Sequence, residues 1–262
     1  MALVSAVAES SHKPLILVLT GGGPLDVSFA QHDPRIASIL WIGYPGEAGP
    51  KALAQIIFGD HNPGGRLPMT WYPESYTSVA MNDMSMRADP SRGFPGRTYR
   101  FYTGDQVYGF GGGLSYTKYE YKLMSGTDRI SLSEFIKTSP NEISEEQHQV
   151  DNLNFIQVDR LSCCDALKFY VQISVTNAGE KDGSHAVLLF ARLPKHVPGT
   201  PEKQLVGFSR VHTTSRGTTE AVMLVDPCEH LSTADENGIK VLPLGDHVLM
   251  VDDLENSVSI MV

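Results

Sequence analysis

The sequence is poor in the features that mark metal, nucleic-acid and membrane proteins. It holds three cysteines, Cys163, Cys164 and Cys228, with no CxxC, and its nine histidines are scattered. Zinc-ligand spacing is therefore absent, and neither a metal nor a cofactor is expected. Lys and Arg number 21 against 30 Asp and Glu, a formal net charge of -9, and no basic run exceeds scattered pairs. A phosphate backbone needs clustered cations, so no nucleic-acid partner is expected. No stretch nears the roughly 18 apolar residues of a membrane helix, and no membrane partner is expected. The N-terminal apolar stretch, residues 1–8, lacks a preceding basic residue and runs into Glu9, Ser10 and Ser11; it does not read as a secretory signal, and Met1 is not expected to be the natural start of the complete protein. No GxSxG occurs, which removes support for a nucleophile-elbow hydrolase. No N-x-[ST] glycosylation acceptor occurs either.

What is present divides into an α/β half and an all-β half. In residues 1–124, Leu3, Val4, Val7 and Ala8 recur at helical spacing until Pro14. The run Leu15-Ile16-Leu17-Val18-Leu19 suits a strand covered on both faces, and Gly21-Gly22-Gly23-Pro24 turns the chain. The same grammar repeats: an apolar strand at 39–42, a Gly-Pro loop, then a helix carrying Ala48, Ala52, Leu53, Ile56 and Ile57 on one face and ending at Gly59. Repeated strand, loop and helix predict parallel strands with crossover helices. Residues 60–118 are rich in Pro, Gly and aromatics and predict long, ordered, irregular chain of the functional or interface kind. Residues 125–160 are polar and aperiodic, which reads as a linker or mobile insertion. In residues 161–262, Phe169, Val171, Ile173 and Val175 alternate with polar positions. Further strands are expected at 185–192, 204–212, 218–225 and 246–251, separated by turns such as Asn177-Ala178-Gly179, Pro198-Gly199 and Asn237-Gly238. That spacing predicts an antiparallel sandwich.

The residues able to do chemistry each have a plainer role as well. Gly21-Gly22-Gly23 fits neither GxGxxG nor the P-loop, and a tight turn is its default; strand ends in open α/β sheets are nevertheless where ligands sit. Asp26, Glu47 and Asp60 lie near such loops, and a retaining glycosidase needs two carboxyls about 5 Å apart. Each serves equally as a helix cap or ion-pair partner. Trp71 and Tyr99 offer flat faces for a sugar ring or large surfaces for packing, whereas Trp41 reads as core. Arg97, with Arg87, Arg92 and Arg100, can clamp hydroxyls or pair with Asp83, Asp89 or Glu74. One disulfide between either of the 163/164 pair and Cys228, or three buried thiols, fits the cysteine count.

Several runs, taken in order, resemble glycoside hydrolase family three, and specifically its plant β-D-xylosidases and bifunctional α-L-arabinofuranosidases. They are GGGPLDV at 21–27, WIGYPGEAG at 41–49, FGDHNPGGRLPMTW at 58–71, PGRTYRFY at 95–102 and FGGGLSYT at 110–117. QLVGF at 204–208 and DPC at 226–228 resemble the fibronectin type III-like domain that closes those enzymes. The resemblance implies part of an α/β sandwich domain followed by an all-β fibronectin type III-like sandwich. It implies a retaining hydrolase of O-glycosyl bonds acting on xylooligosaccharides or arabinoxylan-derived sugar, located in the extracellular space or cell wall. It places the Asp nucleophile, on a barrel domain, and the Glu acid/base upstream of Met1, so no catalytic carboxylate is assigned here and the chain alone is expected to be inactive. Asp26, Glu47, Asp60, Trp71, Arg97 and Tyr99 become substrate-binding or barrel-facing candidates. Cys164 and Cys228 resemble the family's disulfide pair, which leaves Cys163 as a free thiol. The rival readings are a non-catalytic sugar-binding or docking module and, on the βα units alone, a flavodoxin-like small-molecule binder.

Overall fold

A computed structural model describes residues 2–137, 154–197 and 199–262. The chain divides into two compact units, residues 1–115 and 116–262.

The first unit opens with helix α1 (Ala2–Ser10), strand β1 (Leu15–Leu19), a short helix α2 (Ser28–Gln31), strand β2 (Ile36–Trp41) and helix α3 (Gly49–Ile57). β1 and β2 pair in parallel, with Leu17 opposite Ile39 and Leu19 opposite Trp41. This is the arrangement that the repeated strand-loop-helix grammar predicts, because parallel neighbours need a crossover rather than a hairpin. Pro50 sits in the first turn of α3, where its missing N–H costs nothing. Gly59 ends the helix at φ +78°, a left-handed conformation that favours glycine. The apolar centre is small: Val27, Ala30, Trp71 and Val107 are buried, with Leu17, Leu19, Ile39 and Trp41 packed against them. α3 buries none of its residues. From residue 60 onward the unit is loop, broken by 3-10 turns at Glu74–Ser78 and Pro90–Arg92 and by the four-residue helix α4 (Thr98–Phe101).

The second unit is a β-sandwich, antiparallel except where β4 runs parallel to β13. One sheet has the order β4-β13-β12-β7-β8 and the other β3-β6-β9, with a small third sheet β10-β11-β5. The strands are β3 (Tyr119–Ser125), β4 (Arg129–Ser131), β5 (Phe155–Gln157), β6 (Phe169–Asn177), β7 (Gly183–Arg192), β8 (Gln204–Thr213) and β9 (Thr218–Val225). After helix α5 (Pro227–His230) come β10 (Thr233–Ala234), β11 (Lys240–Pro243), β12 (Gly245–Val251) and β13 (Leu254–Met261). Alternation along β6 puts Val171, Ile173 and Val175 inside, against Val187, Leu189, Val225, Leu249 and Ile260. Each such side chain contributes roughly 1.5–3 kcal/mol by leaving water, which accounts for the strict period of two.

Two expectations change here. The boundary expected at 124 falls at 115/116, because β3 pairs with β6 along its whole length, Tyr119 opposite Asn177 through Lys122 opposite Ser174. The linker expected over 125–160 contains β4 and β5, with Ile130, Leu132 and Ile156 buried in the sandwich core. β4 pairs with β13, 130 residues away in sequence at Ile130–Ile260. A three-residue strand has too few positions to show a period, so only its distant partner defines it. Residues 138–153 of that segment, and Pro198 of the expected 198–199 turn, lie outside the described residues.

Candidate functional site

The loops that follow β1 and β2 carry two of the candidate carboxylates, and the structure gives Asp26 a specific occupation. Its Oδ1 accepts from the backbone N–H of Ser28 at 2.9 Å and from the Ser28 hydroxyl at 2.6 Å. Its Oδ2 accepts from the backbone N–H of Glu74 at 2.7 Å. These bonds, led by the Ser28 hydroxyl, lower its pKa. Both oxygens are thus committed to joining the loop after β1 to the 3-10 turn at Glu74–Ser78, the work of a structural staple. Glu47, on the loop after β2, and Asp60, just after α3, are exposed. The end of β2 is fixed to the triple-glycine turn by Trp41, whose indole N–H donates to the Gly21 carbonyl at 3.0 Å.

Trp71 is only 1% exposed. Its ring meets Trp41 edge-on at 5.9 Å and Tyr108 at 5.7 Å. A ring enclosed in this way has no face to offer a sugar, so the substrate-facing expectation for Trp71 is corrected to core. Tyr99 is half-buried and stacks on Phe110 at 4.3 Å.

Arg97 lies in a cluster of aromatic rings within the irregular segment. Its guanidinium donates to the Asp83 carbonyl at 2.6 Å and stands 5.9 Å from the ring centres of Tyr76 and Phe94. Around it Tyr72 and Tyr76 stack at 4.1 Å, and Tyr102 meets them edge-on at 4.8 and 5.4 Å. Burial raises the pKa of Tyr76 and of Tyr102. The Tyr72 hydroxyl accepts from the backbone N–H of Thr98 at 2.7 Å. Thr98 has φ +62°, a strained setting for a β-branched residue. Gly96 beside it has φ +85°, and a Cβ there would lie 2.1 Å from the Phe101 carbonyl oxygen, so the turn requires glycine. The tyrosine set was not singled out from sequence as a group. Its signal is two tyrosines upstream of the PGRTYRFY run and one at its end, whose packing only the folded loop reveals.

The neighbouring arginine is used differently. Arg92 pairs with Asp83 at 2.8 Å and with Asp89 at 2.8 Å, the surface pairing that is one of the two readings for this residue. The Arg92 hydrogen bond holds the Asp83 carboxyl down at about 2. A depressed carboxylate contributes stability above its ordinary pKa and loses it as pH falls through the folded value. Pepsin cleavage within residues 79–92 is therefore expected to accelerate as pH falls from ~4 towards ~2, and Asp83→Asn should cleave rapidly already at the upper end. Equal cleavage of the two proteins across that range would contradict the assignment.

Among the described residues no group of three or more His, Cys, Asp or Glu side chains is placed to hold a metal ion, and no helix is long and apolar enough to cross a membrane. In the second unit Cys164 and Cys228 form a disulfide with their Cα atoms 6.0 Å apart. Cys163 is exposed and free. Lys168 stands beside the clip, 2.5 Å from Asp165 and 3.4 Å from Asp226.

Comparison with known proteins places these parts. Residues 1–116 match the glycosyl hydrolase family 3 C-terminal domain and residues 185–254 a fibronectin type III-like domain. The chain is 58% identical over 260 residues to the probable beta-D-xylosidase 6 of Arabidopsis thaliana, covering 98% of this chain and 33% of that protein. It is 44% identical over 262 residues to the beta-xylosidase/alpha-L-arabinofuranosidase 1 of Medicago sativa subsp. varia, covering 99% of this chain and 32% of that protein. A solved GH3 exo-beta-xylosidase (XlnD), in complex with a xylobiose aziridine activity-based probe, superposes with a TM-score of 0.80 at 28% identity, over 99% of this chain and 32% of that one. The chain thus spans about a third of the length of the curated relatives it matches. The chain thus carries a glycosyl hydrolase family 3 C-terminal domain followed by a fibronectin type III-like domain, and along nearly its whole length it is similar to plant xylosidases.

Proposed function

We propose that this chain is the C-terminal third of a retaining glycoside hydrolase that releases xylose, and also arabinose, from the ends of xylan and arabinoxylan oligosaccharides. The observation that carries the reading is similarity along 98% of the chain to a probable plant β-D-xylosidase at 58% identity. In this reading the nucleophile and the acid/base belong to the other two thirds of the enzyme, and these residues supply scaffold and loops. The occupation of both Asp26 oxygens by backbone and hydroxyl donors supports that division, since a nucleophile must present a free oxygen to the sugar. The disulfide supports a secreted, cell-wall location, because cystines persist in oxidising compartments.

The test is an assay of the purified chain on an aryl β-xyloside. No turnover above buffer is expected. Turnover that is abolished by Glu47→Gln would show that a catalytic carboxyl lies within these residues.

A second reading is a non-catalytic sugar-binding or docking module. It is favoured by the large exposed apolar side chains of the first unit, among them Tyr44 at 82%, Phe58 at 81% and Leu114 at 90%. Calorimetry with xylooligosaccharides separates the two: saturable binding without hydrolysis supports the module, and no heat of binding leaves the scaffold role.

A further inference from the structure

The second unit contains a histidine that the proposed function does not use. His247 is fully buried, at 0% exposure, on β12 opposite Val258 of β13. Its Nε2–H donates to the Pro243 carbonyl at 2.9 Å. A neutral imidazole that donates from Nε2 carries its lone pair on Nδ1, and Nδ1 is buried with no hydrogen-bond partner among the described residues. Of the charged groups around the ring, Asp246 favours the protonated form but makes no hydrogen bond to Nδ1. On its own strand Asp246 is the next residue and so points to the opposite, exposed face. The facing segment 193–197 supplies His196, whose ring lies 3.6 Å from where a Gly245 Cβ would stand and which opposes a second positive charge. β13 presents Val258 between Ser257 and Ser259, none of them charged.

The corner that encloses this ring is paired with β13 from Gly245 onward and with β5 at Pro243, but it is open on the β7 side. β12 joins β7 only from Val248 onward. Gly245 has φ +105°, and Leu244 is tied by one backbone hydrogen bond to the Asn154 carbonyl at 2.9 Å.

We propose that His247 is an acid-sensitive latch: a proton on Nδ1 opens the corner formed by residues 193–197 and 243–247 while the rest of the sandwich stays folded. The added N–H would have no protein acceptor, and the charge would sit in the apolar interior, so the protonated ring is stable only when the corner opens to water. Burial is the first cause of the ring's lowered pKa, with His196 acting in the same sense. A buried imidazole with a depressed pKa contributes stability that is present above the ordinary value near 6.5 and is lost as pH falls below it.

Hydrogen exchange of the intact chain at pH 7.5 and pH 5.0, corrected for intrinsic rates, tests the latch. Opening of residues 243–249 is expected to rise in acid relative to β6 and β9, by up to about 30-fold, the limit when an exposed imidazole of ordinary pKa (~6.5) protonates fully at the lower pH. His247→Gln keeps a donor for the Pro243 carbonyl but does not titrate, and should lose the acid-dependent opening. His196→Gln should reduce it. An unchanged acid response in His247→Gln, or no response in the unsubstituted chain, would overturn the proposal. If His247→Gln does not fold, the proton resonances of the wild-type ring decide: a His247 that titrates at its ordinary pKa with the corner still protected also overturns it.

Discussion

Replacing Cys163 and Cys164 together with serine is expected to lower the stability of the β-sandwich by about 4 kcal/mol. The clip joins residues 64 apart in sequence, and closing a loop of that length removes conformational freedom from the unfolded chain. A loss of this size is a large share of the 5–15 kcal/mol typical of a domain. The nearby Lys168 pairs with the exposed Asp165 and the half-buried Asp226 stand at the surface and contribute little by comparison. Both cysteines must change, because after Cys164→Ser alone the adjacent Cys163 thiol is one residue away from taking its place. Cys163→Ser alone should leave stability unaltered, since Cys163 is exposed and unbonded. The measurement is urea unfolding followed by circular dichroism, which reports the sandwich strands. Both tryptophans, Trp41 and Trp71, lie in the first unit, so their fluorescence follows that unit separately. A change below about 1 kcal/mol in the double variant would show that the clip does not act through chain entropy.

Trp71→Ala should cost the first unit about 3–5 kcal/mol, the range for deleting a large buried aromatic. The ring sits between Trp41 and Tyr108 and is sealed by Val27, Ala30 and Val107. Its backbone also bridges to Tyr108, with N–H to carbonyl contacts of 2.8 Å to Tyr108 and from Val107. Removing the side chain therefore opens a cavity where the long loop packs against the β1–β2 pair. Trp71→Phe should cost distinctly less, because most of the ring volume remains. Urea unfolding monitored by the remaining Trp41 reads both. If Trp71→Ala left stability intact but weakened xylooligosaccharide binding, the sugar-facing role would be restored.

The parts of this protein legible from its sequence are those with local signals. Short apolar runs of five and four residues, followed by glycine turns and an amphipathic helix, predict β1, β2 and α3, and the parallel pairing follows because that order of elements admits no hairpin. Strict alternation predicts β6, and its inward residues are the core. Ordered motifs carry the family, since long specific strings survive without reference to any contact. The cysteine count, by contrast, left both one disulfide and three thiols open. The pairing of Cys164 with Cys228 followed only from the family resemblance, and the 6.0 Å approach of their Cα atoms depends on how the 165–167 turn and α5 meet.

What only the tertiary structure decided are properties set by distant partners. β4 exists because β13 is beside it, and the polar residues around Ile130 hide that pairing from any local reading. Trp71 is core because Trp41, Tyr108 and Val27 converge on it from separate segments, although an aromatic in a Pro-Gly-rich loop reads equally well as a sugar platform. Asp26 is a staple because Ser28 and Glu74, 2 and 48 residues away, both reach it. His247 is one histidine among nine in the sequence; enclosure by two strands and a turn is what strips it of water. Local pattern fixes which segments become strands and helices, since backbone geometry repeats over a few residues. Burial, ion pairing and the availability of a polar group depend on which segments meet, and that is a property of the fold.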